Sequence, residues 1–238
     1  MNFGGFQPLT LTDFPGHVAA IVFAQGCNFR CPFCHNAALL ASTAASDATR
    51  SQERDIFETL QTRRRVLDGV VVTGGEPTLQ PDIATFAARL KGVPLKVKLD
   101  TNGSRPAVLR QLLRENLLDY VAMDLKAPFH KYPQLSGVDV CIQDIQESLA
   151  LLAAGDVPCE FRTTFVPALL TEGDLEEIRS YLPPQATYKV QPFVPDHALD
   201  EALRSTAPRI CASQGPPPMQ PDTRTNDLPH HIDLLSGE

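Results

Sequence analysis

No apolar run in this chain approaches the roughly 20 residues that a membrane-spanning helix requires, so no membrane role is implied. The start, Met1-Asn2-Phe3-Gly4-Gly5-Phe6, lacks both the basic residues and the apolar stretch of a secretory signal. The expected location is therefore the cytoplasm, where thiols stay reduced. Basic residues are also short: 21 Lys and Arg stand against 28 Asp and Glu, a net charge of -7 that excludes a general phosphate-binding coat while leaving room for a local basic groove. No Ser-His-Asp arrangement or Cys-His nucleophile pair can be defended. What remains is ordinary globular material, 43% hydrophobic and 21% charged, long enough at 238 residues for one sizeable domain with a tail.

Six cysteines in a reducing compartment favour metal binding over a disulfide framework, and three of them cluster. Cys27, Cys31 and Cys34 form a C-x3-C-x2-C run. Three closely spaced thiolates can hold three irons of a cubic 4Fe-4S cluster, and with no fourth cysteine nearby the last iron stays open to a ligand. Such a cluster is catalytic in character, since electron-transfer clusters close that corner. A structural zinc module is the alternative from another class, with His35 as fourth ligand, but adjacent Cys34 and His35 make a poor tetrahedron. Iron and sulfide analysis separates the two. Cys141, Cys159 and Cys211 are expected to be buried or half-buried structural cysteines.

From about residue 17 the sequence alternates β-rich runs with helical patterns, the signature of repeated βα units. Strands are expected near His17–Ala24, Gly69–Thr73, Leu95–Asp100, Asp119–Leu125, Cys159–Val166 and Thr187–Gln191. Helical patterns lie near Ser51–Arg65, Asp82–Lys91, Pro106–Asn116, Ile142–Ala154 and Leu175–Tyr181. The fold class is α/β, a partial (β/α)6 barrel of the TIM type, because a complete eightfold barrel needs about 250 residues. An open doubly wound sheet is the alternative. The expected organisation is a barrel domain over residues 1–195 and a Pro-rich tail over 196–238, where Pro208, Pro216, Pro217, Pro218, Pro221 and Pro229 leave no room for a packed element. His230 and His231 in that tail read as solvated.

One alternation says what fills the barrel. Leu95, Val97 and Leu99 share a face opposite Lys96, Lys98 and Asp100; Val121, Met123 and Leu125 lie opposite Tyr120, Asp124 and Lys126; Phe161 and Phe165 lie opposite Glu160, Arg162 and Thr164. Lys189 and Gln191 continue the polar face. Parallel strands buried on both sides usually read as continuous apolar runs. A charged face repeated through four strands implies a lumen that is wet or holds a polar, charged ligand.

A second signal follows the Gly69–Thr73 strand: Gly74-Gly75-Glu76-Pro77. Two glycines at a strand end let the backbone approach a ligand closely, and the glutamate beside them can pair with an ammonium group. Taken with the cysteine run and Phe33, this resembles the radical S-adenosylmethionine (SAM) superfamily. Asp13-Phe14-Pro15-Gly16, Cys34-His35-Asn36, Asp100-Thr101-Asn102-Gly103 and Asp124-Leu125-Lys126 are similar to activating enzymes of glycyl-radical enzymes, above all those serving anaerobic ribonucleoside-triphosphate reductase, with pyruvate formate-lyase activation as a sibling.

That resemblance implies a 4Fe-4S cluster on Cys27, Cys31 and Cys34, with SAM chelating the open iron. Gly74, Gly75 and Glu76 would bracket its methionine moiety, the backbone at Phe33 and His35 would meet the adenine, and Asp124, Leu125, Lys126 and Arg162 would complete the site. Asp100 and Thr101 match a segment that binds a monovalent cation in relatives. The implied reaction is reductive cleavage of SAM to a 5'-deoxyadenosyl radical, which removes a hydrogen atom from a glycine Cα of a partner enzyme, so no residue beyond the cluster and SAM is catalytic in itself. A flavodoxin or ferredoxin would deliver the electron, and neither nucleic acid nor membrane takes part. The alternatives within the superfamily are activation of another glycyl-radical enzyme, such as pyruvate formate-lyase, and chemistry on a small molecule. One departure stands out: where relatives carry a SAM-contacting histidine late in the last strand, this chain reads Val190-Gln191-Pro192-Phe193-Val194, with His197 a few residues on.

Overall fold

The computed structural model describes residues 1–41 and 47–204; Cys211, His230, His231 and the prolines from Pro208 onward lie outside them. Among the described residues, seven strands form one sheet whose order follows the chain. They are β1 (Phe3–Thr10), β2 (Ala19–Ala24), β3 (Gly69–Gly74), β4 (Lys96–Thr101), β5 (Tyr120–Asp124), β6 (Cys159–Phe165) and β7 (Thr187–Pro192). β1 runs antiparallel to β2, and the later pairs are all parallel. Six strands are those expected from the sequence. β1 is a correction: Gly4, Gly5 and Pro8 disguise it, since those residues weaken strand propensity and are tolerated at an edge.

The helices are α1 (Asp47–Arg63), α2 (Ile83–Gly92), α3 (Pro106–Arg114), α4 (Tyr132–Ser136), α5 (Ile142–Ala154), α6 (Glu172–Ser180) and α7 (Glu201–Arg204). Pro106 opens α3 at a position where its missing N–H costs nothing. α6 starts in a capping box, with the Thr171 hydroxyl accepting from the Asp174 N–H and the Asp174 carboxylate accepting from the Thr171 N–H. In α5, Ile145, Ser148 and Leu152 recur at helical spacing and form the buried stripe.

The doubly wound alternative is excluded by two observations. The strand order never reverses, so there is no switch point. The apolar strand residues Val70, Val72, Val97, Leu99, Val121, Met123 and Phe161 also share one core with Leu60, Phe86, Leu109, Ile145 and Ile178 from the helices, so the helices cover a single face. The opposite face is the lumen. Register puts Ile21, Val71, Lys98 and Tyr120 in one row across β2 to β5, Asp100, Ala122 and Glu160 in the next, and Asp124, Arg162 and Lys189 above them. The expected polar lumen is present. Its closed end is sealed by Phe14 against Ala19, Ile21 and Val71, a small apolar plug separate from the main core.

Beyond β7 the chain stays packed through the described residues. Ala198 and Leu203 are buried, and the Asp200 N–H donates to the Pro32 carbonyl at 2.8 Å, bringing the segment under the cysteine loop.

Candidate active site

The cysteine loop leaves β2 at Gln25 and is held from several sides. Gly75 N–H donates to the Ala24 carbonyl at 2.9 Å and Glu76 N–H to the Gly26 carbonyl at 2.8 Å, tying it to the end of β3. Arg30 N–H donates to the Ser136 carbonyl of α4 at 2.7 Å. Asn28 bridges to the end of β4, accepting from Asn102 Nδ2 at 2.9 Å and donating to Ser104 Oγ at 2.8 Å. These links place all three thiols along one wall of a cavity at the C-terminal ends of the strands. Cys31 is buried, while Cys27 and Cys34 are half-buried. Burial pushes the Cys31 thiol up to about 11 and raises Cys27 as well; the Lys126 ammonium pulls both the other way.

The cavity also carries Phe33, His35, Gly74, Gly75, Glu76, Asp100, Thr101, Asp124, Lys126 and Arg162. Leu125 is not among its lining residues. It is buried in the outer core and contributes its backbone, whose N–H donates to the Arg162 carbonyl and whose C=O accepts from the Thr163 hydroxyl. Sequence reading missed Asn36, Thr73 and Asn102 as lining groups; Thr164 and Gln191, which the period of two had put on the polar face with Arg162, do line it. Gln191 stands on the cavity, whereas His197 sits in a short turn outside its lining.

The glycine pair has a different physical reason from the one its position suggested. A Cβ at Gly75 would lie 2.0 Å from the Gly26 carbonyl oxygen, and Gly74, at φ +117°, would put one 2.5 Å from the Ala24 nitrogen. The pair lets the cysteine loop press against β3. The carboxylate of Glu76, only 1% exposed, then ties the turn after β3 to the end of β4. Its Oε1 accepts from the Thr78 N–H at 3.0 Å, the Thr78 hydroxyl at 2.5 Å and the Thr101 hydroxyl at 2.8 Å, and its Oε2 accepts from the Asn102 N–H at 2.7 Å. Burial raises its carboxyl and these bonds oppose the shift.

Across the cavity runs a string of alternating charge. Lys98 Nζ lies 2.7 Å from Asp100 Oδ1, Arg162 Nη1 3.3 Å from Asp100 Oδ2, Arg162 Nε 2.9 Å from Asp124 Oδ1, and Lys126 Nζ 2.9 Å from Asp124 Oδ2. Burial opposes ionisation of Asp124, but Arg162 and then Lys126 outweigh it and hold the carboxyl well below the usual range. Burial also works against Lys126 and Arg162, and the anionic groups around them, Asp124 foremost, together outweigh it and raise both. Lys126 is steadied from below by Tyr132 of α4, whose hydroxyl accepts its backbone N–H at 3.3 Å.

Two fits follow from this donor set. A single metal ion needs three donors converging on one point, and among the described residues no three His, Cys, Asp or Glu side chains converge in that way. A cubane asks instead for one thiolate at each of three corners, and the three thiols that line this cavity supply that number. Facing them are a buried carboxylate with no ion pair among the described residues and two cations, the complement of a zwitterionic amino acid.

Comparison with known proteins gives the same direction. The sequence profile of the radical SAM superfamily matches residues 21–182. A protein of Methanocaldococcus jannaschii named as a glycyl-radical enzyme activating enzyme is 34% identical over 84% of this chain and 83% of its own length. The pyruvate formate-lyase-activating enzyme of Listeria monocytogenes is 32% identical over 50% of this chain and 51% of its own. Among solved structures, Streptococcus suis SuiB bound to S-adenosylmethionine superposes with a TM-score of 0.58 at 16% identity, over 73% of this chain and 40% of that one, a likeness of fold.

Proposed function

The chain belongs to the radical SAM superfamily, in its glycyl-radical enzyme activating branch, and from that premise we propose that it installs the glycyl radical of an anaerobic ribonucleoside-triphosphate reductase. The observation that carries the reading is the wall of three thiols facing Glu76, Asp124, Lys126 and Arg162 across one cavity. When bound by Cys27, Cys31 and Cys34, a 4Fe-4S cluster supplies the electron for reductive cleavage of SAM.

The chain's own residues do the placing. Glu76 receives the ammonium group of the methionine moiety: its Oε1 already accepts three bonds, whereas Oε2 accepts one and keeps acceptor capacity. Arg162 and Lys126 balance the carboxylate, with Asp124 fixing the direction of both. The backbone at Phe33 and His35, both on the cavity, meets the adenine, and His35 stacks on Phe193 with centroids 6.0 Å apart. The apolar plug at Phe14 keeps water from entering through the floor of the lumen. The substrate is a glycine-bearing loop of the partner, the donor is a flavodoxin or ferredoxin, and the setting is the cytoplasm.

The test is anaerobic. Cluster-loaded protein, SAM, reductant and a purified anaerobic ribonucleotide reductase should give the doublet of a glycyl radical by electron paramagnetic resonance, and Cys31→Ala should give none. Cleavage of SAM without that doublet on the reductase would sink the partner assignment and turn attention to other glycyl-radical enzymes.

A further inference from the structure

Lys98 is a buried charge that the placement of SAM above does not use. It is 1% exposed and sits on the lumen face of β4, in register with Val71 and Tyr120. An ammonium taken out of water is costly unless its protons are satisfied, so its retention asks for a reason. Two partners define what it holds. Its Nζ donates to the main-chain carbonyl of Asp13 at 2.6 Å, at the closed end of the barrel, and pairs with Asp100 Oδ1 at 2.7 Å on the cavity side. The face of the Tyr120 ring lies 6.0 Å away.

Asp100 then reaches Arg162, and Arg162 reaches Asp124. Arg162 is thus shared among three carboxylates, Asp100, Asp124 and, at 4.0 Å, Glu160, while the ammonium below draws Asp100 the other way. The monovalent cation implied near Asp100 and Thr101 does not fit this arrangement. Each oxygen of Asp100 already lies within ion-pair distance of a cation, Lys98 at Oδ1 and Arg162 at Oδ2, although Oδ1 accepts no hydrogen bond, and the Thr101 hydroxyl donates to Glu76. A further positive ion would meet two like charges at close range.

We propose that Lys98 is a positioning residue that supplies this cation from within the chain: its ammonium fixes Asp100, leaves Arg162 aimed by Asp124 into the cavity, and frees the protein from any need for a monovalent metal ion. The proposal deepens the SAM-binding reading of the site and rests on it only for the activity arm of its test.

In the first arm, cluster-loaded wild type and Lys98→Met are compared for 5'-deoxyadenosine formation in potassium, ammonium and tetramethylammonium chloride at equal ionic strength. Wild type should stay within about twofold across the salts, while Lys98→Met in tetramethylammonium should lose about tenfold or more through a raised KM for SAM, as loss of an outer positioning contact does. Potassium or ammonium should restore much of that loss, and Lys98→Arg should retain activity in every salt.

The second arm needs neither cluster nor SAM. Thermal melting of the cluster-free wild type should be the same in all three salts, whereas Lys98→Met should melt about 6 °C lower or more in tetramethylammonium and recover in potassium. A wild-type protein whose activity or melting depends on potassium overturns the proposal, as does a Lys98→Met protein that responds to the salts no more than wild type. Should Lys98→Met fail to fold, the wild-type salt series still decides. If no 5'-deoxyadenosine forms in any salt, the SAM reading fails while the melting arm still tests Lys98.

Discussion

The carboxylate of Glu76, at the end of β3, accepts the backbone N–H of Asn102, just past the end of β4, at 2.7 Å. That single bond joins two loops which reach the same cavity from neighbouring strands, and Asn102 passes the link on to Asn28 beside the first cysteine. Removing the carboxylate would strip partners from Thr78, Thr101 and Asn102 together, while shortening by no more than one side chain.

Glu76→Ala should therefore cost about 3 kcal/mol of stability, from several buried donors left unmatched, which for a chain of this size lowers the melting temperature by roughly 6–12 °C. Urea denaturation measures it. Glu76→Gln keeps three of the four bonds at Oε1, so it should fold well and show its defect in SAM affinity, by equilibrium binding. Equal SAM affinity in Glu76→Gln and wild type would remove the ammonium role.

Gly75→Ala should drive the cysteine loop away from β3, because the new methyl would fall 2.0 Å from the Gly26 carbonyl. The expected result is a loss of iron and sulfide per chain after reconstitution, with a stability cost of about 2 kcal/mol or more from overpacking. Gly92→Ala, at the end of α2 with nothing within 4 Å, is the control. It should be neutral or stabilising by up to about 1 kcal/mol.

Asp174 gives a pH test. The Lys131 ammonium and then the Thr171 backbone hold its carboxyl down at about 2 in the folded state, against about 3.9 in an unfolded chain. A depressed folded value means that the stabilising contribution is present in full above pH ~4 and disappears as pH falls toward ~2. The stability gap between wild type and Asp174→Asn should close over that interval in acid denaturation. A gap that persists at pH ~2 would assign the effect to the shape of the α6 cap alone.

Thiol reactivity in the cluster-free protein offers another check. Burial pushes Cys31 up to about 11, and only the thiolate attacks an alkylating agent. At pH ~8 iodoacetamide should modify exposed Cys141 at least about tenfold faster than Cys31, read by peptide mass mapping. Comparable rates would mean that the cysteine loop opens far more readily than its hydrogen bonds suggest.

Much of this was legible in the sequence wherever a period exposed it. Lys98, Asp124, Arg162 and Glu160 could be turned inward by counting in twos, and the lumen they form is polar. The Cys27, Cys31 and Cys34 spacing is local and needs no fold to be read. β1 was hidden because its glycines and proline carry no alternation, and α4 because five residues are shorter than any helical period can show. Cys141 proved exposed rather than half-buried, since the turn before α5 faces outward. The linking role of Glu76 was out of reach for a different reason: its partners Thr101 and Asn102 come from another strand, and only the register of β3 with β4 brings them close.

Because neighbours in the sheet are neighbours in the chain, each strand emerging from a ribosome meets a partner already made. All three thiols of the cysteine loop have been synthesised by residue 34, while the groups that fence them in arrive later: Gly75 after β3, Ser136 in α4 and Asp200 beyond β7. The nascent cysteine loop thus lacks several of its hydrogen-bond partners for most of translation, and among the described residues the segment at Asp200 is the last of them to arrive. In the finished protein, whatever reaches Cys31 must pass segments that are all made after it.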